Sequence, residues 1–118
     1  MNLRDTELTI SIEIPGGTIC LSGRLAASTV AEVRAALVAA IGAGTGDLVV
    51  DIAEVDLVDA SGLGVLVGAH RLAMREERRL VLRSVPPRIE RLLAVTHLNR
   101  VLTVEPVLVV EDTQAISA

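Results

Sequence analysis

Apolar and polar residues alternate at the start of the chain, and the pattern changes to a helical period near residue 28. Residues 7–14 place an apolar side chain at every second position, which predicts a half-buried strand. A Pro-Gly-Gly turn at 15–17 and a second strand-like stretch at 18–23 favour an antiparallel hairpin. From residue 28 apolar residues recur at intervals of three and four, which predicts an amphipathic helix.

The first predicted helix has sequence features at both ends. Ser28 or Thr29 is expected to be its N-cap, and Thr29 with Glu32 has the spacing of a capping box. The glycine-rich stretch 42–46 is expected to end the helix.

Strands and helices alternate in the rest of the chain. Residues 48–52 form a short apolar run, which predicts a central strand covered on both faces. The elements expected after it are a helix through about residue 75, a strand at 80–82, a helix opened by Pro86 or Pro87, and a strand at 101–104. Residues 107–110 resemble a further strand, and Asp112 is a candidate cap for a short helix through Ile116.

This element order predicts an α/β fold. A hairpin followed by alternating helices and strands requires crossover connections, which give a mainly parallel central sheet with helices packed against it. At 118 residues and 12.4 kDa the chain fits one domain, residues 1–118.

Composition and charge exclude several classes of function. No apolar run reaches the roughly 18 residues of a membrane span, and the N-terminus lacks the apolar stretch of a signal peptide. We therefore expect a cytoplasmic protein without a membrane partner. A net charge of −4 and the lack of aromatic residues argue against nucleic-acid binding.

Two smaller features have structural interpretations. The arginines between residues 71 and 83, which are interrupted by Glu76 and Glu77, predict a solvated helix face and its turn. Cys20 is the single cysteine, so it cannot form an internal disulfide, and we expect it to be a small core residue.

Candidate chemistry is concentrated in residues 59–64. Ser61 lies where a strand and a short loop lead into a helix, with Gly62 and Gly64 in the first turn. Each glycine weakens a helix by about 1 kcal/mol relative to alanine, and the missing side chains allow another backbone or a partner to approach closely. The structural alternative makes Ser61 an ordinary N-cap and the glycines packing residues.

Enzyme sites fit this segment poorly. A hydrolase elbow needs glycines two residues before and after the serine, where this chain has Asp59 and Leu63. His70 lies about 13 Å along the predicted helix from Ser61, and the glycine spacing is one residue too long for a dinucleotide fingerprint. One cysteine and two separated histidines do not have the spacing of metal ligands. We therefore expect no catalytic residue, metal or cofactor.

Residues 47–68 strongly resemble the signature of STAS domains, which include sulphate transporter appendages and anti-sigma factor antagonists. The segment has the sequence DLVVDIAEVDLVDASGLGVLVG, and weaker matches at 23–25, 86–89 and 96–98 extend the resemblance over nearly the whole chain. The most specific positions are Asp59, Ser61, Gly62, Leu63 and Gly64.

The resemblance implies a partner switch. In free-standing family members the unphosphorylated protein binds an anti-sigma factor, usually also a serine kinase, and so frees a sigma factor for transcription. Phosphorylation of the serine that corresponds to Ser61 ends binding, and a serine phosphatase restores it. The implied partner-binding residues are Asp59, Ala60, Ser61, Gly62, Leu63 and Gly64. Asp51 and Asp59 match acidic positions that are expected to shape the loop.

Three positions depart from the family pattern. Ala60 replaces a frequent second hydroxyl residue, which leaves Ser61 as the modified position. Ala26 replaces a common acidic residue, so one frequent partner contact is expected to be missing. His97 stands where glycine is common, and it is a costlier occupant if the backbone there has positive φ.

Two other functions remain open at this level. One is a STAS accessory subunit bound to the ATPase of a lipid-transport ABC system, in which the serine need not be phosphorylated. The other is a scaffold in a larger signalling assembly.

Overall fold

The computed structural model describes residues 7–106. The elements of this part of the chain are β1 (Leu8–Ile14), β2 (Thr18–Leu25), α1 (Val30–Gly42), β3 (Leu48–Val58), α2 (Ala60–Arg75), β4 (Leu80–Arg83), α3 (Pro87–Val95) and β5 (Thr103–Val104). A short 3-10 turn, Leu98–Arg100, connects α3 to β5. The strand and helix expected between residues 107 and 116 lie outside the described residues.

The strands form one sheet in the order β1-β2-β3-β4-β5, with β3 in the centre as predicted. β1 is antiparallel to β2, and the other neighbouring pairs are parallel. This topology confirms the predicted α/β fold with an N-terminal hairpin. Because each crossover moves to the next strand in the same direction, right-handed connections place the helices on one face of the sheet. Among the described residues, no helix is long and apolar enough to cross a membrane.

The prediction that β3 is covered on both faces is wrong. Leu48, Val50 and Ile52 are fully buried, whereas Val49 and Asp51 between them are only half-buried. The helices cover one face, so the side chains of the strand alternate in burial. The sequence does not show this alternation, because Val49 on the less covered face is also apolar.

The second half of β1 is also less buried than predicted. Leu8 and Ile10 pack against the core, but Ile12 is 64% exposed and Ile14 is 54% exposed. The pairing of β1 with β2 shifts register between Ile12 and Ile14, which disturbs the simple alternation at the end of this edge strand.

Thr29 occupies the N-cap of α1, but the predicted capping box does not form. Its side chain makes no capping hydrogen bond to the helix. The Thr29 hydroxyl donates instead to the carbonyl oxygen of Arg24 at 2.7 Å and accepts from the Ala26 N–H at 3.1 Å. The hydroxyl therefore stabilises the loop between β2 and α1. At α3 the prediction is confirmed, since Pro86 is the N-cap and Pro87 the first helical residue.

Arg78 is buried, and its predicted place on a solvated helix face is wrong. Its side chain donates hydrogen bonds of 2.9 Å to the carbonyl oxygens of Ala40, Ile41 and Gly46, and it also donates to that of Gly16. A cation is favourable at the C-terminal carbonyl groups of a helix such as α1. The guanidinium therefore joins α1, the loop after it and the β1–β2 turn.

Candidate functional site

The loop between β3 and α2 is shaped by Asp59. Asp59 is the N-cap of α2, and its carboxylate accepts a hydrogen bond from the Gly62 N–H at 3.0 Å. The alternative in which Ser61 caps the helix is therefore wrong, because Asp59 occupies that position. Ser61 is the second residue of the helix, and its side chain is exposed as predicted.

Asp59 also connects this loop to the loop after β2. The second oxygen of its carboxylate accepts from the Ala27 N–H at 3.2 Å, and its own N–H donates to the Leu25 carbonyl oxygen at 3.1 Å. The hydrogen bonds from the N–H groups of Gly62 and Ala27 lower the pKa of Asp59 and outweigh the opposing effect of desolvation. The side chain is therefore a carboxylate at neutral pH.

The glycines of α2 have two different environments. Gly62 is buried, and a Cβ atom there would lie 2.7 Å from the carbonyl carbon and 2.8 Å from the Cβ of Leu25. A Cβ atom at Gly64 or Gly68 would meet no atom within 4 Å. Gly62 is thus required by close packing on β2, whereas the other two glycines expose a smooth helix surface.

This smooth surface borders a groove between α1 and α2. The groove has a volume of about 220 Å³, and Arg34, Leu37, Val38 and Leu72 line it together with Gly64 and Gly68. Ser61 lies three residues before Gly64, so both residues are on the same side of α2.

A second groove lies between the end of β3 and α3. It has a volume of about 360 Å³ and is lined by Leu57, Val58, Ile89, Leu92 and Val95. Arg88 and Arg91 also line it. Leu57 is 44% exposed and Val95 is 72% exposed. The sequence does not distinguish these two residues, because an apolar residue at the end of an element can equally be a core residue.

The predicted partner-binding residues are brought together, since all of them belong to the N-cap and first turn of α2. Ala60, Ser61 and Gly64 are exposed, whereas Leu63 is half-buried and packs against the core.

Asp51, which was expected to shape the loop, is elsewhere. It lies eight residues before Asp59 on an extended strand, about 26 Å away at 3.3 Å per residue. Its carboxylate accepts from the Arg83 guanidinium at 2.7 Å and from the Ala53 N–H at 2.9 Å. Desolvation raises the pKa of Asp51, but these hydrogen bonds outweigh it and the pKa is lowered. Asp51 stabilises the pairing of β3 with β4 and contacts no described residue of the β3–α2 loop.

Cys20 lies beside Asp51 on the less covered face of the sheet, so the expectation of a core residue is wrong. It is partly exposed, and Asp51 is its register partner on β3. The thiol donates a hydrogen bond to Glu13 at 3.5 Å, and Glu13 is paired with Arg83 at 3.0 Å. Burial, followed by the hydrogen bond to Glu13, raises the pKa of the thiol. Cys20 is therefore protonated at neutral pH and weakly nucleophilic.

The chemistry available at Ser61 is that of an accessible hydroxyl group. Among residues 7–106 we find no hydrogen bond from its side chain to another residue and no group of three His, Cys, Asp or Glu side chains placed to hold a metal. His70 lies nine residues further along the same helix. His70 is therefore not placed to act as a base for Ser61, whose hydroxyl is open to a reagent supplied by another protein.

Comparison with known proteins identifies the family. The family model described as "Mlab, STAS domain" matches residues 9–109. An anti-sigma-B factor antagonist of Staphylococcus epidermidis is 33% identical over 84 residues, which are 71% of this chain and 78% of the relative.

Solved structures share the fold. An anti-sigma factor antagonist from Mycobacterium paratuberculosis has a TM-score of 0.70 at 20% identity, covering 94% of this chain and 95% of that one. The Bacillus cell fate determinant SpoIIAA in its phosphorylated form has a TM-score of 0.61 at 20% identity, covering 93% of this chain and 96% of that one. The chain therefore belongs to the STAS domain family of anti-sigma factor antagonists.

Proposed function

We propose that this chain is a phosphorylation-controlled antagonist of an anti-sigma factor. The unphosphorylated form binds an anti-sigma factor that is also a serine kinase and so releases a sigma factor. Phosphorylation of Ser61 ends this binding, and a serine phosphatase restores it. The observation that carries the proposal is the exposed Ser61 hydroxyl at the start of a helix whose position is fixed by Asp59 and Gly62.

The surroundings of Ser61 support the role of a kinase substrate. Its neighbour Ala60 is exposed and small, and Gly64 on the same side of α2 adds no side chain. An approaching kinase active site therefore meets few obstructing atoms. The kinase supplies ATP and Mg²⁺, while this chain supplies a hydroxyl group and a binding surface and needs no cofactor.

The binding surface extends beyond the loop. The groove beside Gly64 and Gly68 is formed by α1 and α2, and the apolar groove with Leu57 and Val95 is formed by the end of β3 and α3. Since exposed apolar side chains of this kind are common at protein interfaces, we assign both grooves to the contact with the anti-sigma factor. Val58 in one groove and Gly64 in the other are three residues before and three residues after Ser61 in the chain, so Ser61 belongs to the same interface.

A phosphate on Ser61 would act mainly on this interface. It adds about −1.5 to −2 charges at neutral pH, while the N-terminus of α2 favours an anion by only roughly 0.3 to 1 kcal/mol. The Asp59 carboxylate already accepts the Gly62 N–H. It would also repel a phosphate on Ser61, because both groups are negatively charged. The stabilisation of the phosphate by the N-terminus of α2 is therefore further reduced. A partner carboxylate about 4 Å away would add repulsion on the order of 4 kcal/mol at an effective dielectric of 20. The fold is therefore retained while binding is lost.

The proposal is tested by affinity capture from the native lysate with four forms of the protein as bait. Wild type and Ser61→Ala should retain an anti-sigma factor, and Ser61→Glu should lose it. Thr45→Glu is a matched control, since it adds the same charge at an exposed position at the other end of β3. Capture of a transport ATPase by all four baits, without an anti-sigma factor, would contradict the switch and favour the lipid-transport alternative.

A further inference from the structure

The outer edge of β1 is unusually apolar for an unpaired edge strand. Within residues 7–106, β1 pairs only with β2, which leaves one side of its backbone without a partner strand. Exposed edges are ordinarily protected by charged residues, proline, a bulge or a covering element. In β1 the register shift and Glu13 both come after Ile12, so residues 8–12 contain no charged residue, proline or bulge, and Ile12 and Ile14 are more than half exposed.

A groove continues this apolar edge towards α1. It has a volume of about 220 Å³, and Ile12, Ile14, Ala36, Ala39 and Ala43 are among the residues that line it. The alanine side chains leave room for larger apolar groups from another chain. The edge and the groove therefore form one surface, which we call the β1 surface.

The pairing of β1 with β2 determines which backbone groups face outwards. The Arg24 N–H donates to the Glu7 carbonyl oxygen at 2.8 Å, and the pairing keeps this register through Ile12. In an antiparallel pair alternate residues make the interstrand hydrogen bonds. Thr9 and Ser11 therefore bond towards β2, whereas the N–H and C=O groups of Ile10 and Ile12 point to the free edge.

We propose that the β1 surface is the interface of a homodimer, in which β1 pairs with β1 of a second copy about a two-fold axis. Ser11 faces Ser11 of the second copy in this arrangement, and Ile10 lies opposite Ile12. These pairs belong to the regular part of β1, before the register shift that follows Ile12. A strand that is antiparallel to its own copy uses the same surface on both chains, as closed two-fold dimers require.

Charge complementarity favours this register. A shift by two residues that brings Ile10 opposite Ile10 would bring Glu13 of one copy towards Glu7 of the other, and like charges on facing strands destabilise a sheet. A shift in the other direction leaves Leu8 and Thr9 without a partner. The register centred on Ser11 therefore separates the carboxylates and pairs Ile10 with Ile12 across the interface.

Light scattering during size-exclusion chromatography tests the dimer. One pair of seven-residue strands with a flanking groove is a small interface, so we expect a dissociation constant on the order of micromolar. Between roughly 5 and 500 µM the mass of wild type should rise from that of the 12.4 kDa monomer towards twice that value. Ile12→Lys should stay monomeric, and Met74→Lys, at a 60% exposed position on α2, should behave as wild type.

Cysteine crosslinking tests the register. In a Cys20→Ser background, Ser11→Cys should form an intermolecular disulfide, because Cα atoms of directly opposed, non-hydrogen-bonded residues lie about 4.5 Å apart. Cys20 must be removed since it is paired with Ser11 within one chain. Thr9→Cys is the control, because Thr9 does not face Thr9 of the second copy in this register and should not crosslink.

Three results would overturn the proposal: wild type that is monomeric throughout this range, a dimer that survives Ile12→Lys, or equal crosslinking of the two cysteine variants. Each is independent of the switch, since Ser61 is not part of the β1 surface.

Discussion

Gly62 lies so close to Leu25 that a Cβ atom on Gly62 would be 2.7 Å from the Leu25 carbonyl carbon. The oxygen of the same carbonyl group accepts the Asp59 N–H at 3.1 Å. The end of β2 therefore positions both the N-cap and the first turn of α2, and with them Ser61.

We expect Gly62→Ala to lower the free energy of unfolding by about 1 to 3 kcal/mol, because the added methyl group overpacks the contact with Leu25. Gly64→Ala is the matched control. It should raise the free energy of unfolding by roughly 0.5 to 1 kcal/mol, since no atom lies within 4 Å and alanine favours the helix. Urea denaturation measures both, and a stabilised Gly62→Ala variant would show that the contact is not tight.

Arg78→Met should destabilise the protein by roughly 2 to 4 kcal/mol, because several buried carbonyl oxygens lose their donor. Arg79→Met should change stability far less, since Arg79 is exposed and makes a surface ion pair with Asp47. Thermal unfolding of the two variants provides the comparison. Equal losses of stability in the two variants would mean that the buried Arg78 guanidinium stabilises the protein no more than the exposed Arg79.

His97 adopts a left-handed backbone conformation with φ of 63°, as its position in the family pattern suggested. His97→Gly should therefore stabilise the protein by roughly 0.5 to 1 kcal/mol, because glycine adopts positive φ without steric strain. His97→Ala should give no such gain, since alanine meets the same strain. Chemical denaturation of the three proteins checks this, and a gain with alanine would point to the imidazole instead of the backbone.

Acid should weaken the pairing of Asp51 with Arg83. The folded-state pKa of Asp51 lies below its ordinary value, so its contribution to stability is present above about pH 4 and is lost as pH falls through the folded-state pKa. Asp51→Asn should accordingly lose less stability than wild type between pH 7 and pH 3. Melting temperatures across this range measure the difference, and parallel curves for the two proteins would contradict it.

The sequence predicted the element order, the parallel sheet and the exposure of Ser61, because hydrophobic periodicity and the loop motif are local features. It did not predict the burial of Arg78, since the carbonyl groups that bind it come from segments more than 30 residues away in the chain. The sequence did not distinguish the covered face of β3 from the less covered face for a related reason. Apolar residues occur on both faces, and only the placement of the helices separates them.

The sequence predicted which residues form the candidate site but not the role of each residue. The motif identified residues 59–64. Asp59, and not Ser61, is the N-cap, because its carboxylate reaches both the Gly62 N–H and the Ala27 N–H. Asp51 and Asp59 both match acidic positions of the family pattern, but the extended strand between them places Asp51 far from the loop.

Calorimetric titration of the purified anti-sigma factor with three forms of the protein tests the central claim most directly. Unphosphorylated wild type and Ser61→Ala should bind with similar affinity, because neither carries a charge at residue 61. The form phosphorylated on Ser61 should bind at least about thirtyfold more weakly, which corresponds to roughly 2 kcal/mol of repulsion. Equal affinities of all three forms, with unchanged circular dichroism, would contradict a switch at Ser61.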